Sequence, residues 1–576
     1  MDSLSLSRSS RSTLQPELRP STLSGLNSPG PPFHQKHFWL VALLAVTAVR
    51  FLMAWIIPIS PEEAYHWNFA RHLDWSYYDH PPMLAWAIAA GRLIFGDTEL
   101  GVRLVPLLFS IGTAVLLACL ARRSYGDRAA AWTVLLLALN PCVLVIGAWG
   151  FPDAPLLFFW SLTLTLVWRA LERGQGAWWL GAGAALGAAM LSKYTAAFLV
   201  PSVFGYLIFS RHRRWLATPW PYLGGLIALL VFMPVLYWNW AHDWASFRFQ
   251  STARFAAAND FKWRAGGVFL GEQWLAILPL TLPLGIVAFW QALRSSRTED
   301  HFLLWLFLPM IGFFWMFGFT PSYHVLWALP AYLSLTVLMA GAVVGGQTMV
   351  ARLYRDQIKW IGAAAACVLV LSVSHAAWVL PGISPLRETY GWDLIAARAK
   401  AEREMLLASG ASKVKKAEDR GSTIEDGISF DSSSRMLDSQ SSILDPRPSP
   451  GPGMASVASD RSSPFYLAIG NRSYPCPSQL AFHLNAPEQV HGSSLFGIRN
   501  LQYQYWSHPE ELRGQDAVIV LESGINDAWI CGLLAQHFQS VEPAGELILP
   551  VGKLPFGRKR QVRYLFFRAH GYQGLQ

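Results

Sequence analysis

The chain has 576 residues, of which 53% are hydrophobic and only 14% are charged. Soluble domains carry roughly 25% charged residues, so this composition excludes an ordinary soluble protein and indicates a membrane protein. The formal net charge of +9 does not indicate nucleic-acid binding, because the basic residues lie in short clusters between apolar runs and form no stripe.

The N-terminal region separates into a polar tail and a long series of apolar runs. Residues 1–37 are rich in Ser, Leu and Pro and have no apolar centre, so we interpret them as a disordered cytoplasmic tail rather than a signal peptide. A helix needs about 20 apolar residues to cross a bilayer. On that basis we predict eleven spans, at 38–57, 101–121, 129–147, 154–172, 177–192, 195–210, 221–238, 268–293, 302–319, 324–346 and 358–380.

Between the first two spans lies a polar and aromatic segment, residues 58–100. We predict two helices at the membrane interface, 62–73 and 82–95, because each is too short to cross the bilayer. The Pro81-Pro82 pair separates them and prevents one continuous helix.

Loop charges predict the orientation. Most loops on one side carry arginines, whereas 58–100, 148–153 and 320–323 on the other side hold few basic residues or none, with 239–267 as an exception. Positively charged loops face the cytoplasm, so the 58–100 segment faces outward. With an odd number of spans, the C-terminus lies outside as well.

The C-terminal third has a different composition. Residues 381–463 are predicted as a linker with a low-complexity insert, and the runs FYLAI, DAVIVLE and QVRYLFF within 464–576 predict a small extracytoplasmic α/β domain. Cys476 and Cys531 lie in this domain and can pair if the compartment is oxidising. The predicted fold class is an all-α polytopic membrane protein, about eleven transmembrane helices plus interfacial helices, with this small soluble α/β domain.

Four ionisable residues are predicted to converge on an outward cavity. Glu62 and Glu63 open the first outer segment, Asp153 opens the fourth span from the same side, and Lys193 lies at a break between two spans. Ionisable groups near a bilayer are solvated or paired, and they often mark reaction sites.

Each of these residues also fits a plainer role. Glu62 and Asp153 follow prolines and can serve as acidic residues in a first helical turn, and Lys193 can extend to a lipid headgroup. The surrounding aromatic residues fit an interfacial belt. The acids and histidines of 58–100 can bind a divalent cation, although their spacing matches no strong ligand pattern, and no metal ligand is assigned.

Four motifs together resemble bacterial members of glycosyltransferase family 39. They are EEAYHWNFARHLDWSYYDHPPMLAW, FPDAPLLFFW, GAAMLSKYTAAFLVP and PVLYWNWAHDWASFRFQ. The resemblance covers residues 38–380 and, more weakly, 464–525 through QLAFHL and YWSHPEELRGQDAVIV. These enzymes have the GT-C fold and are related to protein O-mannosyltransferases and the lipid A aminoarabinose transferase.

The resemblance implies a transferase that takes a sugar from a polyprenyl-phosphate donor. Its catalytic acids fall on Glu62, Glu63 and Asp153, with Glu62 one methylene longer than the usual Asp. It implies phosphate binding by Lys193. His80 and the outer-loop residue Arg254 are expected to help, because the charge released on the phosphate must be stabilised. Further residues expected to bind substrate are Tyr65, Tyr78, His324 and Trp327.

The acceptor stays open between lipid A or lipopolysaccharide, another glycolipid, a polysaccharide and a protein. The expected location is the plasma (inner) membrane, with membrane lipids as neighbours and no nucleic acid as partner. One alternative is a non-catalytic receptor or scaffold built on a degenerate transferase, which the Glu62 departure leaves open. The chief alternative is a transporter or lipid flippase, which predicts ionisable residues midway along the spans. Arg50 is the candidate of that kind, whereas the conspicuous acids lie at the outer ends of spans.

Overall fold

The computed structural model describes residues 38–253, 261–278, 280–320, 324–357, 360, 363, 389–418, 463–470, 473–524, 527–553 and 559–575. The predicted N-terminal tail, nearly all of the predicted span 358–380, the insert beyond residue 418 and Arg254 lie outside these residues.

α-Helices dominate the described residues up to Asp356. In chain order they are α1 Phe38–Ile56, α2 Pro61–Arg71, α3 Met83–Phe95, α4 Glu99–Tyr125, α5 Asp127–Ala138, α6 Pro141–Ile146, α7 Asp153–Arg173, α8 Ala177–Ser192, α9 Leu199–Phe209, α10 Trp220–Ala241, α11 Ala245–Arg248, α12 Trp263–Glu272, α13 Leu282–Arg294, α14 Thr298–Phe317, α15 Leu329–Gly345 and α16 Met349–Asp356. Both short helices predicted within 58–100 are present, as α2 and α3, and their location at the membrane interface stays a prediction.

Six helices among the described residues are long and apolar enough to cross a membrane. They are Trp39–Ile56, Glu99–Tyr125, Asp153–Arg173, Trp220–Ala241, Thr298–Phe317 and Val325–Gly345. Four shorter apolar helices accompany them, at Met83–Phe95, Ala177–Ser192, Tyr194–Phe209 and Leu282–Arg294. The protein is therefore a multi-pass membrane protein, while the predicted number of eleven spans is not confirmed.

Two predicted spans are interrupted. The run 129–147 divides into α5 and α6 because Pro141 begins a new helix, which Asn140 caps. The run 268–293 divides into α12, a π-helical turn and α13, with a break after Leu278. Continuous apolar composition hides such breaks, because helix and irregular backbone bury equally apolar side chains.

Close packing of small residues joins α8 to α10. A Cβ atom added to Gly183 would lie 2.0 Å from the carbonyl oxygen of Gly224, so only glycine permits this approach. On the opposite face of α10, large apolar side chains such as Leu226 and Leu230 are exposed, as expected of a surface that lipid covers. Lys193 is the residue that caps the C-terminal end of α8.

A five-stranded sheet forms the C-terminal region. Its strands are β1 Phe465–Ile469, β2 Val490–His491, β3 Ala517–Glu522, β4 Phe538–Lys553 and β5 Lys559–Tyr572, in the order β2-β1-β3-β5-β4. Strand β1 pairs in parallel with β2 and β3, whereas β5 runs antiparallel to β3 and β4. The predicted strand-like runs FYLAI, DAVIVLE and QVRYLFF fall on β1, β3 and β5.

In the part of this region that the structure describes, four α-helices accompany the sheet: α17 Trp392–Glu418, α18 Pro475–Leu484, α19 Tyr503–Trp506 and α20 Asp527–His537. Helix α17 lies within the segment predicted as a linker, and its buried Ile395 and Ala399 join the core of the sheet. The 381–463 segment is therefore not a linker throughout, and the exact domain boundaries stay a prediction. Among the described residues Cys476 is buried, Cys531 is exposed and neither forms a disulfide.

The C-terminal domain and helices α2 and α3 share one hydrophobic core. Trp67 of α2 and Leu84 of α3 belong to the same buried cluster as Leu480 of α18 and Tyr466 of β1. The domain therefore lies on the same side of the helical bundle as the 58–100 segment, and it covers that segment.

Candidate active site

Hydrogen bonds between neighbouring residues fix the start of helix α2. The Ser60 hydroxyl accepts the Glu63 N–H at 3.3 Å, and the Glu63 carboxylate accepts the Ser60 N–H at 2.9 Å, with Pro61 at the first helical position. This capping box fixes the direction in which the chain enters the helix. It therefore also sets where Glu62 points.

Glu63 is enclosed by hydrogen bonds and an ion pair. Its oxygens accept hydrogen bonds from the Arg103 guanidinium at 2.6 and 2.7 Å and from the Gly150 N–H at 2.9 Å. The side chains of Glu63 and Arg103 are both 0% exposed. Burial raises the pKa of Glu63, but the Arg103 charge and these hydrogen bonds outweigh it, so the pKa lies below its ordinary value. Glu63 is thus a structural link between α2, α4 and the loop that precedes Asp153. The geometry does not favour the catalytic role expected from the sequence.

Arg103 was not identified from the sequence. Its guanidinium also donates to the carbonyl oxygens of Ala54, Ile57 and Pro58, which ties the end of α1 to α4. A charged residue within an apolar run was the available signal, because such residues in membrane helices are almost always paired.

Asp153 and Lys193 come together, as the sequence predicts. The Lys193 ammonium donates to both Asp153 oxygens, at 2.8 and 2.9 Å. The Asp153 side chain is 5% exposed and that of Lys193 is 15% exposed, so the pair lies at the edge of the core and retains access to solvent.

Glu62, His66 and His80 form a second cluster. One potential ligand atom from each lies within 4.8 Å of the others. The His66 Nδ1 lies 2.8 Å from the Glu62 carbonyl oxygen, which can only accept, so Nδ1 carries the proton and Nε2 keeps a lone pair. That Nε2 is buried and has no hydrogen-bond partner among the described residues. This donor set fits a divalent cation of the kind that imidazole and carboxylate bind.

Electrostatics links the two clusters. Burial is the main cause of the lowered pKa of His66, and the positive charge of Lys193 acts in the same direction. Lys193 therefore lies within electrostatic range of the imidazole. The ring of His80 lies 4.9 Å from that of His66, and its Nε2 is 3.7 Å from Asp79.

The C-terminal domain covers this region through aromatic residues. Tyr65 is 1% exposed: its hydroxyl donates to Asp79 at 3.1 Å, accepts the Gln502 N–H at 2.9 Å, and its ring stacks on Tyr474. The Tyr474 hydroxyl in turn donates to a Glu62 oxygen at 2.5 Å.

Tyr78 is buried in a similar way. Its N–H donates to the Gln502 side chain at 2.7 Å, and its ring packs against Phe249, Tyr505 and the Arg499 guanidinium. Tyr65 and Tyr78 were expected to bind substrate, but both rings are enclosed by this interface. Their contacts join the two domains.

The remaining predicted site residues are placed as follows. His324 caps the turn before α15, and Trp327 packs near Phe314 and Phe317, with ring centroids 6.0 and 6.1 Å away. Arg254 falls outside the described residues. Substrate binding by these three residues stays a prediction.

Known proteins resemble this chain in sequence and in fold. Residues 79–238 match the family described as "Dolichyl-phosphate-mannose-protein mannosyltransferase". The crystal structure of ArnT from Cupriavidus metallidurans bound to undecaprenyl phosphate aligns with a TM-score of 0.58 at 18% identity, over 92% of this chain and 98% of that chain. The chain has the GT-C fold. The resemblance to glycosyltransferase family 39 predicted from the motifs is therefore confirmed.

Two curated relatives act on lipid-linked substrates, according to their names. "Lipid A galacturonosyltransferase RgtD" of Rhizobium johnstonii is 26% identical over 302 residues, 52% of this chain and 62% of that protein. "Undecaprenyl phosphate-alpha-4-amino-4-deoxy-L-arabinose arabinosyl transferase 1" of Pseudomonas fluorescens is 30% identical over 303 residues, 48% of this chain and 52% of that protein. The match thus spans between half and two thirds of the length of each relative.

Proposed function

We propose that this protein is a membrane glycosyltransferase that moves a sugar from a polyprenyl-phosphate donor to a glycolipid acceptor of the lipid A class. The observation that carries this proposal is the Lys193–Asp153 pair beside the Glu62–His66–His80 cluster, in a chain with the GT-C fold. The names of the relatives support the donor and acceptor classes. Neither relative's name points to a polysaccharide or protein acceptor, and only the description of the matching family mentions a protein.

Lys193 is the group that meets the donor phosphate. Its ammonium lies at the edge of the core, and Asp153 holds it in place. The donor phosphate can therefore bind to a positive charge that is already in position. As the bond between C1 and the phosphate oxygen breaks, negative charge grows on the leaving polyprenyl phosphate. A fixed positive charge at this place lowers the barrier because it stabilises the transition state more than the ground state.

Glu62 is the group that takes the acceptor proton. It is partly exposed, whereas Glu63 is enclosed by Arg103 and Asp153 is occupied by Lys193. Its carboxylate removes the proton from the acceptor hydroxyl while the hydroxyl oxygen bonds to C1. Attack opposite the phosphate inverts the anomeric centre without a covalent sugar–enzyme intermediate.

Glu62, His66 and His80 would hold a divalent cation. When bound, the cation supplies further positive charge for the phosphate. The hydrogen bond from His66 Nδ1 to the Glu62 carbonyl oxygen leaves the Nε2 lone pair available to a cation.

The location follows from the same features. We propose that the protein lies in the inner membrane, with its N-terminus in the cytoplasm and its C-terminal domain outside. The arginine-poor loops support this orientation, because the site and its aromatic cover lie on their side.

The test compares transfer with transport. Purified protein in vesicles would receive radiolabelled polyprenyl-phosphate sugars and lipid A. The proposal expects label in the lipid A fraction. Movement of labelled lipid between leaflets without a glycosylated product would instead support the flippase.

A further inference from the structure

The carboxylate of Glu62 is held by a residue 412 positions away in the sequence. Tyr474 donates its hydroxyl proton to Oε2 of Glu62 at 2.5 Å. Short hydrogen bonds to a carboxylate are stronger than neutral ones. The contact joins the membrane-interface helix α2 to the start of α18 in the C-terminal domain.

The Tyr474 ring is itself fixed from two directions. It stacks on Tyr65 with ring centroids 4.5 Å apart and planes inclined by 27°. Its neighbour α18 is tied to the membrane domain, because the Gln479 side chain donates to the Ile59 carbonyl at 2.9 Å. These contacts hold the Tyr474 hydroxyl in place. Its hydrogen bond therefore sets the orientation of the Glu62 carboxylate.

We propose that Tyr474 is a positioning residue for Glu62, through which docking of the C-terminal domain sets the geometry of the reaction. This inference rests on the proposed function. With Oε2 held by Tyr474, Oε1 is presented to the acceptor hydroxyl. The hydroxyl proton passes to Oε1, the oxygen bonds to C1, and the electron pair of the broken C1–O bond leaves with the polyprenyl phosphate.

The chain offers a matched control at the same interface. Tyr503 is also a buried tyrosine of the C-terminal domain, and its ring also stacks near Tyr65. Its hydroxyl contacts Asn68 at 3.2 Å and Ser478 at 3.0 Å, however, and not Glu62. Tyr503→Phe thus removes a hydroxyl from the same interface and leaves Glu62 held.

The experiment measures kcat and KM for Tyr474→Phe and Tyr503→Phe in the full-length protein, with thermal unfolding midpoints for both. Phenylalanine keeps the stacking in each case. We expect Tyr474→Phe to lower kcat by about 10- to 100-fold, as small misplacements of reacting groups do. The KM for donor and acceptor should stay within about twofold, because the hydroxyl contacts no substrate. Tyr503→Phe should leave kcat within about twofold.

The outcomes separate the inference from the function on which it rests. An equal loss of kcat in both variants, or no loss in Tyr474→Phe, would overturn the inference while wild-type transfer stands. A loss in Tyr474→Phe that appears only in KM would also overturn it. If the wild type transfers no sugar, the proposed function fails and the inference fails with it.

Discussion

Lys193 and Asp153 lie 40 residues apart, on different helices, and form a two-bond ion pair at 2.8 and 2.9 Å. Lys193 stands where α8 ends and the backbone becomes extended, and Asp153 is the first residue of α7. The antiparallel packing of α7 and α8 therefore brings the two charges to one side of the bundle. This arrangement holds the Lys193 ammonium at the place where we propose that the donor phosphate binds.

Replacing Lys193 tests its contact with the phosphate. We expect Lys193→Met to lower kcat/KM for the donor by about 10²–10³, because the charge that stabilises the leaving phosphate is lost. Lys193→Arg should retain more activity, since it keeps the charge in a different geometry. Steady-state transfer rates at matched folded protein would measure both. Lys400→Met, at an exposed position of α17, is the control and should change nothing.

Removing Arg103 should destabilise the whole membrane domain. Arg103→Met leaves Glu63 buried without its cation, and such a loss costs about 3–5 kcal/mol. A marked fall in the thermal unfolding midpoint in detergent would show this. In contrast, Arg122→Met breaks a pair whose side chains are 57% and 56% exposed, and such pairs contribute at most about 1 kcal/mol. Equal midpoints for the two variants would contradict the structural role of Arg103.

Cation binding can be measured without an activity assay. Isothermal titration of Zn²⁺ or Mn²⁺ into metal-free protein should detect a site, and His66→Ala should weaken it at least about tenfold. His508→Ala, at an exposed position in the C-terminal region, serves as the control. Undiminished affinity in His66→Ala would place the cation elsewhere.

Acid should destabilise the C-terminal domain through His491. Burial is the main cause that lowers the pKa of His491 from 6.5 to about 4, with smaller contributions from His508 and His72. The unfolded state therefore binds a proton that the folded state does not between those values, so stability falls as pH drops from about 6.5 to 4. At pH 4.5 this difference amounts to roughly 2–3 kcal/mol.

Unfolding midpoints measured between pH 7 and pH 4.5 would check this prediction. His491→Gln should flatten the pH dependence, because glutamine does not titrate. The exposed His301→Gln should leave the profile as in the wild type. If His491→Gln loses stability in acid as steeply as the wild type, the pH dependence does not come from His491.

Local patterns in the sequence predicted much of the architecture. The prediction 177–192 coincides with Ala177–Ser192, and the capping signals around Ser60 and Pro61 start α2 where expected. These features depend on neighbouring residues, so a single sequence contains them. The convergence of Asp153 and Lys193 could be predicted because loop charge placed both at the same end of the bundle.

The contacts between distant segments could not be predicted. Nothing near Tyr474 in the sequence points to Glu62, and nothing near Gln502 points to Tyr65, because these pairs form only when the C-terminal domain docks. For the same reason the sequence predicts Tyr65 and Tyr78 as substrate-binding residues and does not reveal that docking buries them. The sequence does not distinguish Glu63 from Glu62, whereas the structure pairs buried Glu63 with Arg103 and leaves Glu62 as the acid that we propose to react.

The most direct test of the central claim is transfer of radiolabelled sugar from polyprenyl phosphate to lipid A by wild type, Glu62→Gln and Asp153→Asn at matched membrane levels. Both substitutions keep the size of the side chain and remove its charge. We predict label in lipid A with the wild type and a loss of at least about 100-fold in each variant. Transfer that survives both substitutions would contradict the assignment of the active site.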